Sequence, residues 1–181
     1  RAAPALTARA GGERPVRMRG KQPPPVETEP GEKVLAWCNG EGDEVLAGTR
    51  DALYLVSGGT ARRIPWEQVE AADWDQDSNL FRVSEVGSWG EQRREHEFTI
   101  SDPGRVLELV RERVTASVVL QRHVSVAGRR GLRVIARRAP RGDRPLAWFF
   151  EYDEGVDPDD PAVREAAQAA LTAARDEVGA S

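Results

Sequence analysis

The stretch that decides the fold is residues 43–77, which read DEVLAGTRDALYLVSGGTARRIPWEQVEAADWDQD. Two short apolar runs flank the turn Thr49-Arg50-Asp51, and the pair Gly58-Gly59 precedes a third run that reaches Pro65. Short runs rich in β-branched and aromatic residues, bounded by turn residues, are typical of antiparallel strands. The sequence therefore predicts strands at residues 44–48, 51–57 and 60–64.

Further strands are predicted on both sides of this stretch. Alternating or apolar runs indicate strands at residues 34–38, 68–74, 80–85 and 94–100. Asp102-Pro103 then predicts the start of a helix, with Asp as N-cap and Pro at the first helical position. The apolar stripe of that helix is expected at Val106, Leu107, Val110 and Val114.

This order of about seven short strands and one capping helix resembles a bacterial pleckstrin-homology-like (PH-like) domain. The residues that carry the resemblance are VLAGTRDALYLV, RRIPWEQVEAADWD and DPGRVLELVRERV, within residues 31–116. The chain is similar in this respect to uncharacterised conserved actinobacterial proteins. The resemblance implies an antiparallel barrel or sandwich capped by a helix. It also implies a scaffold that binds peptides, proteins or headgroups, and it carries no catalytic signature.

Residues 117–181 are predicted to form an extension beyond that domain. Residues 118–126 are read as a strand or as a continuation of the helix, and residues 131–139 and 146–152 as strands, which gives a three-stranded meander. Asp160-Pro161 predicts a second helix with a mostly alanine stripe. The extension either enlarges the first sheet or packs as a small subdomain. The expected fold class is α+β, mainly β.

Residues 1–30 are predicted to be a disordered, basic, Pro-rich tail. They contain six Arg and Lys against three Glu, and they include the run Pro23-Pro24-Pro25. Such a segment buries too little apolar surface to offset the entropy lost on ordering. The alternative is a basic arm that contacts phosphate or an acidic partner. Met18 is a candidate translation start, which would leave residues 1–17 outside the native chain.

Composition excludes several classes of protein. The formal net charge of −4 provides no global attraction to nucleic acid or to an anionic membrane. No apolar run approaches the roughly 18 residues that a transmembrane helix needs. Cys38 is the single cysteine, which rules out an intramolecular disulfide and fits a reducing compartment. We therefore expect a cytoplasmic protein.

No catalytic or metal-binding pattern is recognised. His96 and His123 are interpreted as structural side chains and Cys38 as a small core residue. Asp73, Asp75 and Asp77 have the spacing of a calcium loop, but the Gly and the closing Glu of such a loop are missing, so a solvated turn is predicted. We expect no enzyme, no cofactor and no metal.

Charge is distributed unevenly along the chain. Seven arginines lie within residues 129–144, opposed only by Asp143, whereas residues 31–102 contain fifteen Asp and Glu against seven Lys and Arg. One hypothesis is that the basic hairpin pairs with the acidic segment, within the protein or across a dimer. The other is an anion-binding face formed by Arg129, Arg130, Arg133, Arg137 and Arg138.

Two functions follow from these features. The favoured one is a non-enzymatic interaction module that binds an unidentified protein or peptide partner. The alternative is polyanion binding, to nucleic acid or phosphate headgroups, through the Arg-rich hairpin 129–144. Nucleic acid is the less favoured partner because no aromatic residues interleave the basic strip to stack on bases.

Overall fold

The computed structural model describes residues 25–87 and 94–179. Within these ranges the chain is mainly β, with three antiparallel sheets and two α-helices. The fold class expected from the sequence is confirmed at this level. Neither described helix is long and apolar enough to cross a membrane.

The first sheet is a four-stranded antiparallel meander in the order β1-β2-β3-β4. Its strands are β1 (Ala36–Asn39), β2 (Val45–Gly48), β3 (Ala52–Ser57) and β4 (Thr60–Pro65). The predicted turn after β2 is confirmed, since Thr49 N donates to Ala52 O at 2.9 Å. At the next turn Gly58 and Gly59 have φ of 58° and 71°, a left-handed conformation that glycine adopts without strain.

The second sheet is a three-stranded meander in the order β5-β6-β7. It consists of β5 (Val69–Asp75), β6 (Leu80–Glu85) and β7 (Glu95–Thr99), and a 3₁₀ turn at Trp66–Gln68 joins it to β4. Helix α1 (Gly104–Ser117) follows. In the described residues, seven strands thus precede a helix, in the predicted order. The two sheets do not form one continuously hydrogen-bonded barrel there.

Both sheets and α1 bury their apolar faces in one core. Trp66 and Phe81 are its largest fully buried side chains, and the indole Nε1 of Trp66 donates to Thr49 O at 3.1 Å. Helix and sheet approach closely at Gly48, where an added Cβ would lie 2.5 Å from Leu109 Cδ2. Large side chains therefore fill this core, and the absence of a side chain at Gly48 allows α1 to pack close to the sheet.

The start of α1 differs from the prediction. Asp102 does not cap the helix, and Pro103 occupies the N-cap position with Gly104 as the first helical residue. The reason is local, because Gly104 takes φ of 48°, so the chain between Asp102 and the helix is not helical even though Asp102 Oδ1 accepts a hydrogen bond from Gly104 N at 3.0 Å. Of the predicted stripe, Val106 and Val110 are buried.

The third sheet is the predicted meander and is separate from the first two. It contains β8 (Val118–Ala127), β9 (Arg130–Arg137) and β10 (Ala147–Tyr152), in the order β10-β9-β8. Residues 118–126 are therefore a strand, and the alternative of a continued helix is wrong. The long β8 begins directly where α1 ends, so the boundary predicted at residues 116 and 117 falls in the last turn of α1.

Helix α2 (Pro161–Gly179) covers one face of the third sheet. Its predicted cap is confirmed, since Asp160 Oδ1 accepts from Ala162 N at 2.8 Å. The small side chains of α2 allow it to lie close to the sheet. Its buried contacts to Leu132 and Val134 come from Val163, Ala167, Ala170 and Ala174.

Part of the predicted tail is held against the first sheet. Residues 1–24 lie outside the described residues. Val26 packs on a small cluster that includes Ala47 and Tyr54, and Glu29 N donates to Tyr54 Oη at 3.0 Å. The last residues of the 1–30 segment are therefore structural neighbours of the first sheet.

Candidate functional site

The arginines proposed from sequence as one anion-binding face lie in three places. Arg129 and Arg130 are exposed at the β8–β9 turn, and Arg133 lies mid-strand, where its Nη1 donates to Glu151 Oε2 at 3.3 Å. Arg137 and Arg138 are at the far end of β9. Arg130 and Arg138 are eight positions apart along an extended strand, a span of roughly 25 Å. The five side chains therefore do not form one surface.

Arg137 points into the protein. Its side chain is 5% exposed, and its guanidinium donates to Val69 O (2.9 Å), Glu70 O (3.1 Å) and Ser117 Oγ (2.9 Å). Burial lowers the pKa of Arg137, although Glu151 and Glu70 oppose that shift. This residue joins the third sheet to β5 and to the end of α1, and it is turned away from any external anion.

The loop after β9 brings basic residues onto the acidic first unit. Arg141 forms a bidentate pair with Asp51, with Nε–Oδ1 at 2.8 Å and Nη2–Oδ2 at 2.6 Å. Arg144 Nη1 lies 3.5 Å from Glu67 Oε1. These contacts are the ones expected if the basic hairpin pairs with the acidic segment within the protein.

Between these contacts lies a polar cleft of about 270 Å³, which we call the acidic cleft. Three arginines, Arg63, Arg141 and Arg144, line it together with Pro30, Pro65 and Pro140. Carboxyl groups outnumber the arginines. They belong to Glu29, Glu32, Asp51, Glu67 and Asp143.

One end of the acidic cleft is fully hydrogen-bonded around Glu32. Its Oε1 accepts from Arg63 Nε at 3.0 Å and also contacts Arg63 Nη2, and its Oε2 accepts from Tyr54 Oη at 2.8 Å and Thr49 Oγ1 at 2.9 Å. Burial alone would raise the pKa of Glu32. The hydrogen bonds from Arg63, Thr49 and Tyr54 outweigh burial and hold that pKa below its ordinary value.

The other end of the cleft contains Glu67, in the 3₁₀ turn beside the fully buried Trp66. Glu67 is 7% exposed. Among the described residues, its Oε1 has only the 3.5 Å contact with Arg144, which is longer than a charge-assisted hydrogen bond. Its Oε2 is buried and accepts no hydrogen bond from the described residues. Glu67 is therefore an incompletely paired carboxyl at the base of the cleft.

Both histidines have carboxylate partners that the sequence did not indicate. His96 Nε2 lies 2.6 Å from Glu85 Oε1, which also accepts from Arg62 Nε at 2.6 Å. Burial opposes ionisation of Glu85, but its bonds to Arg62 and His96 prevail and lower its pKa. His123 Nε2 lies 2.9 Å from Asp153 Oδ2. His96 thus pairs with the end of the neighbouring strand β6, and His123 pairs with a residue 30 positions away, directly after β10.

The remaining candidates are structural. Cys38 is buried, and burial together with Asp102 raises the pKa of its thiol to about 11, so the reactive thiolate is disfavoured. Asp75 accepts hydrogen bonds from Asp77 N, Ser78 N and Ser78 Oγ, as in a solvated turn. In residues 25–87 and 94–179, no group of three His, Cys, Asp or Glu is arranged to hold a metal ion.

Sequence reasoning missed the acidic cleft because its residues span positions 29 to 144 of the chain. One local signal was present, a glutamate directly after Trp66 between the predicted strands 60–64 and 68–74. No protein-family model matches the chain, and no curated protein matches it. The geometry of the cleft is therefore the basis for inferring function.

Proposed function

We propose that this protein is a non-enzymatic interaction module that binds a protein or peptide partner by accepting a basic side chain in the acidic cleft. The observation that carries the proposal is the buried Oε2 of Glu67, which accepts no hydrogen bond within the described part of the chain. Leaving a buried acceptor unpaired costs about 1–3 kcal/mol. A guanidinium or ammonium group from a partner that takes the place of Arg144 would pair with this carboxylate and offset that cost.

The fold supports an interaction module. Two antiparallel sheets and α1 share one core, and seven strands precede α1, which is the order that the sequence resemblance to PH-like domains implies. The two sheets are also bridged by Arg62 and Glu85 and by the bond from Glu41 N to Thr99 O at 2.9 Å. We propose on this basis that residues 31–116 form a PH-like unit, followed by the meander and helix of residues 117–181. A cytoplasmic location, expected from the single cysteine, is part of the proposal.

Arg144 supports the choice of a cationic ligand. Its side chain is 60% exposed, and its guanidinium rests loosely over Glu67. An exposed side chain at that distance gains little from the contact and is easily displaced. Arg144 thus occupies the position that a partner's basic side chain would take.

Fluorescence anisotropy with two labelled peptides tests the proposal. The peptides are acetylated, amidated and identical except for a central Arg or Gln. We expect the Arg peptide to bind more tightly, and Glu67→Gln to weaken its binding by about tenfold or more, because a hydrogen bond to a charged group is lost. Arg144→Gln should tighten binding, since an internal competitor is removed.

Glu165→Gln is the matched control. Glu165 is an exposed residue of α2 and does not line the acidic cleft, so its substitution removes the same charge without touching the site. Binding of the Arg peptide should be unchanged in this variant. Equal affinity for the Arg and Gln peptides, or wild-type affinity in Glu67→Gln, would refute the proposal.

Polyanion binding is the second candidate function, and Arg129 and Arg130 favour it. Both are exposed at the β8–β9 turn and have no ion pair within residues 25–87 and 94–179. Both arginines line a cleft at this turn. Asp157 and Asp160 line it as well and weaken its attraction for anions. The double variant Arg129→Ser, Arg130→Ser should lose retention on heparin if this surface binds polyanions. Retention equal to wild type would exclude it.

A further inference from the structure

A second, smaller cleft also borders the Ala139–Pro140 segment, and we call it the basic cleft. It has a volume of about 140 Å³ and is bounded by Arg113, Ala116, Ser117 and Arg138. Ala139 and Pro140 line both this cleft and the acidic cleft. A short stretch of chain is therefore the common wall between two binding spaces of opposite charge.

The arginines of the basic cleft are poorly paired. Arg113 Nε is buried and donates to no acceptor among the described residues, and its nearest carboxylate contact is Glu112 Oε1 at 3.9 Å. Arg138 is exposed and has no ion pair within the described part of the chain. Two arginines, one from α1 and one directly after β9, thus line one small space and have donor capacity to spare.

The chemistry of this space suits a carboxylate. A guanidinium binds a carboxylate through paired N–H donors in one plane. Ser117 does not compete with a ligand carboxylate for the two arginines, because its Oγ already donates to Val114 O and accepts from Arg137 Nη1. The remaining walls are the small apolar residues Ala116, Ala139 and Pro140, which fit a compact group.

We infer that the basic cleft binds a carboxylate of the same partner segment whose basic side chain enters the acidic cleft. The recognised segment would then carry one basic and one acidic residue that straddle the Ala139–Pro140 wall. This inference rests on the proposed function for the identity of the basic residue. The basic cleft itself rests on Arg113 and Arg138.

The test uses three labelled peptides of one length that differ at two positions. These positions hold Arg and Glu in the first peptide, Arg and Gln in the second, and Gln and Glu in the third. The separation of the two positions is varied from one to four residues. At one separation we expect the Arg–Glu peptide to bind about tenfold more tightly than the Arg–Gln peptide. Arg138→Gln should abolish that advantage and leave binding of the Arg–Gln peptide unchanged.

Arg111→Gln is the control, because Arg111 is an exposed arginine of α1 that lines neither cleft. It should leave the advantage of the Arg–Glu peptide intact. A second readout is the NMR resonance of the Arg113 Nε–H group, which the Gln–Glu peptide should shift in the wild type. That shift is independent of the acidic cleft and does not require a substitution that could disturb folding.

The outcomes separate the two proposals. Weak binding of the Arg–Gln peptide, with a shifted Arg113 resonance on addition of the Gln–Glu peptide, would refute the acidic cleft and retain the carboxylate site. No advantage of the Arg–Glu peptide at any separation, or an advantage that survives Arg138→Gln, would overturn the inference. An unmoved Arg113 resonance at saturating Gln–Glu peptide would overturn it as well.

Discussion

The two ends of the acidic cleft hold buried carboxyl groups with opposite hydrogen-bonding environments. Glu32 accepts from three side chains, whereas Glu67 has one loose ion pair and a buried oxygen with no hydrogen bond from the described residues. Both carboxyl groups line the same cleft, so the difference in hydrogen bonding comes from the partners of each group and not from the general polarity of the cleft. Glu32 fastens residues 28–32 to the first sheet. Glu67 is left with capacity for a ligand, and such groups are retained at functional sites at a cost in stability.

Removing the well-paired carboxylate should have the largest effect. Glu32→Ala is expected to lower the free energy of unfolding by about 3 kcal/mol, because Arg63, Tyr54 and Thr49 lose a shared acceptor. Urea denaturation measures the change. Glu29→Ala is the matched control, since Glu29 lies 3.3 Å from the same Arg63 but is 60% exposed, and it should cost less than about 1 kcal/mol. Equal effects of the two substitutions would contradict the comparison.

Lowering the pH should reduce the contribution of Glu32 to the free energy of unfolding. The pKa of Glu32 is lower in the folded state than its ordinary value of 4.5, so its contribution is fully present above that pH. The contribution is lost as pH falls through the folded-state pKa. The stability difference between the wild type and Glu32→Gln should therefore shrink below about pH 4.5 when urea unfolding is followed from pH 7 to pH 3. A difference that stays constant would show that ionised Glu32 contributes nothing.

Replacing the under-paired carboxyl should have a smaller effect of opposite sign. Glu67→Met keeps a similar volume and removes the unpaired oxygen, so we expect it to raise the free energy of unfolding by about 1 kcal/mol. The same variant should lose selective binding of the Arg peptide. Thermal and urea unfolding measure the first effect and anisotropy the second. A clear loss of stability would mean that Glu67 belongs to the structural end of the cleft.

The contact between the loop after β9 and the first unit should contribute least. Arg141→Gln breaks a bidentate pair with Asp51, but Arg141 is 46% exposed, and exposed pairs contribute about 0.2–1 kcal/mol. We expect a loss near the lower limit. A double-mutant cycle with Asp51→Asn isolates the pair from other effects. A coupling above about 2 kcal/mol would place this loop with Glu32 as a structural element.

Local sequence patterns anticipated most of the secondary structure. Alternation predicted the strands, and Asp160-Pro161 predicted the start of α2, because each depends on residues close in sequence. The start of α1 differs from the prediction by one residue, because Gly104 takes φ of 48° and the helix begins there, after Pro103. The Asp-Pro pair does not indicate that the following glycine adopts a positive φ.

The clefts were beyond such patterns. Glu67 looked like one acidic residue in a strand-rich segment, and Arg138 like one member of a basic run. What distinguishes them is which partners are missing, and that depends on residues that are not neighbours in sequence, since Arg144 lies 77 positions after Glu67 and Arg113 lies 25 positions before Arg138. Arg137 illustrates the same limit, because its neighbours in sequence suggested an exposed strip and its contacts to β5 made it one of the most buried charges.

Arg137 also affects how the molecule unfolds. Its guanidinium satisfies the carbonyls of Val69 and Glu70, where the pairing of β5 with β6 shifts register. If the third sheet detached, those carbonyls and the buried guanidinium of Arg137 would lose their hydrogen-bond partners together. Opening between β5 and β9 therefore costs these hydrogen bonds and the pairing of a buried charge together. Amide exchange in the two strands should consequently be coupled at this contact.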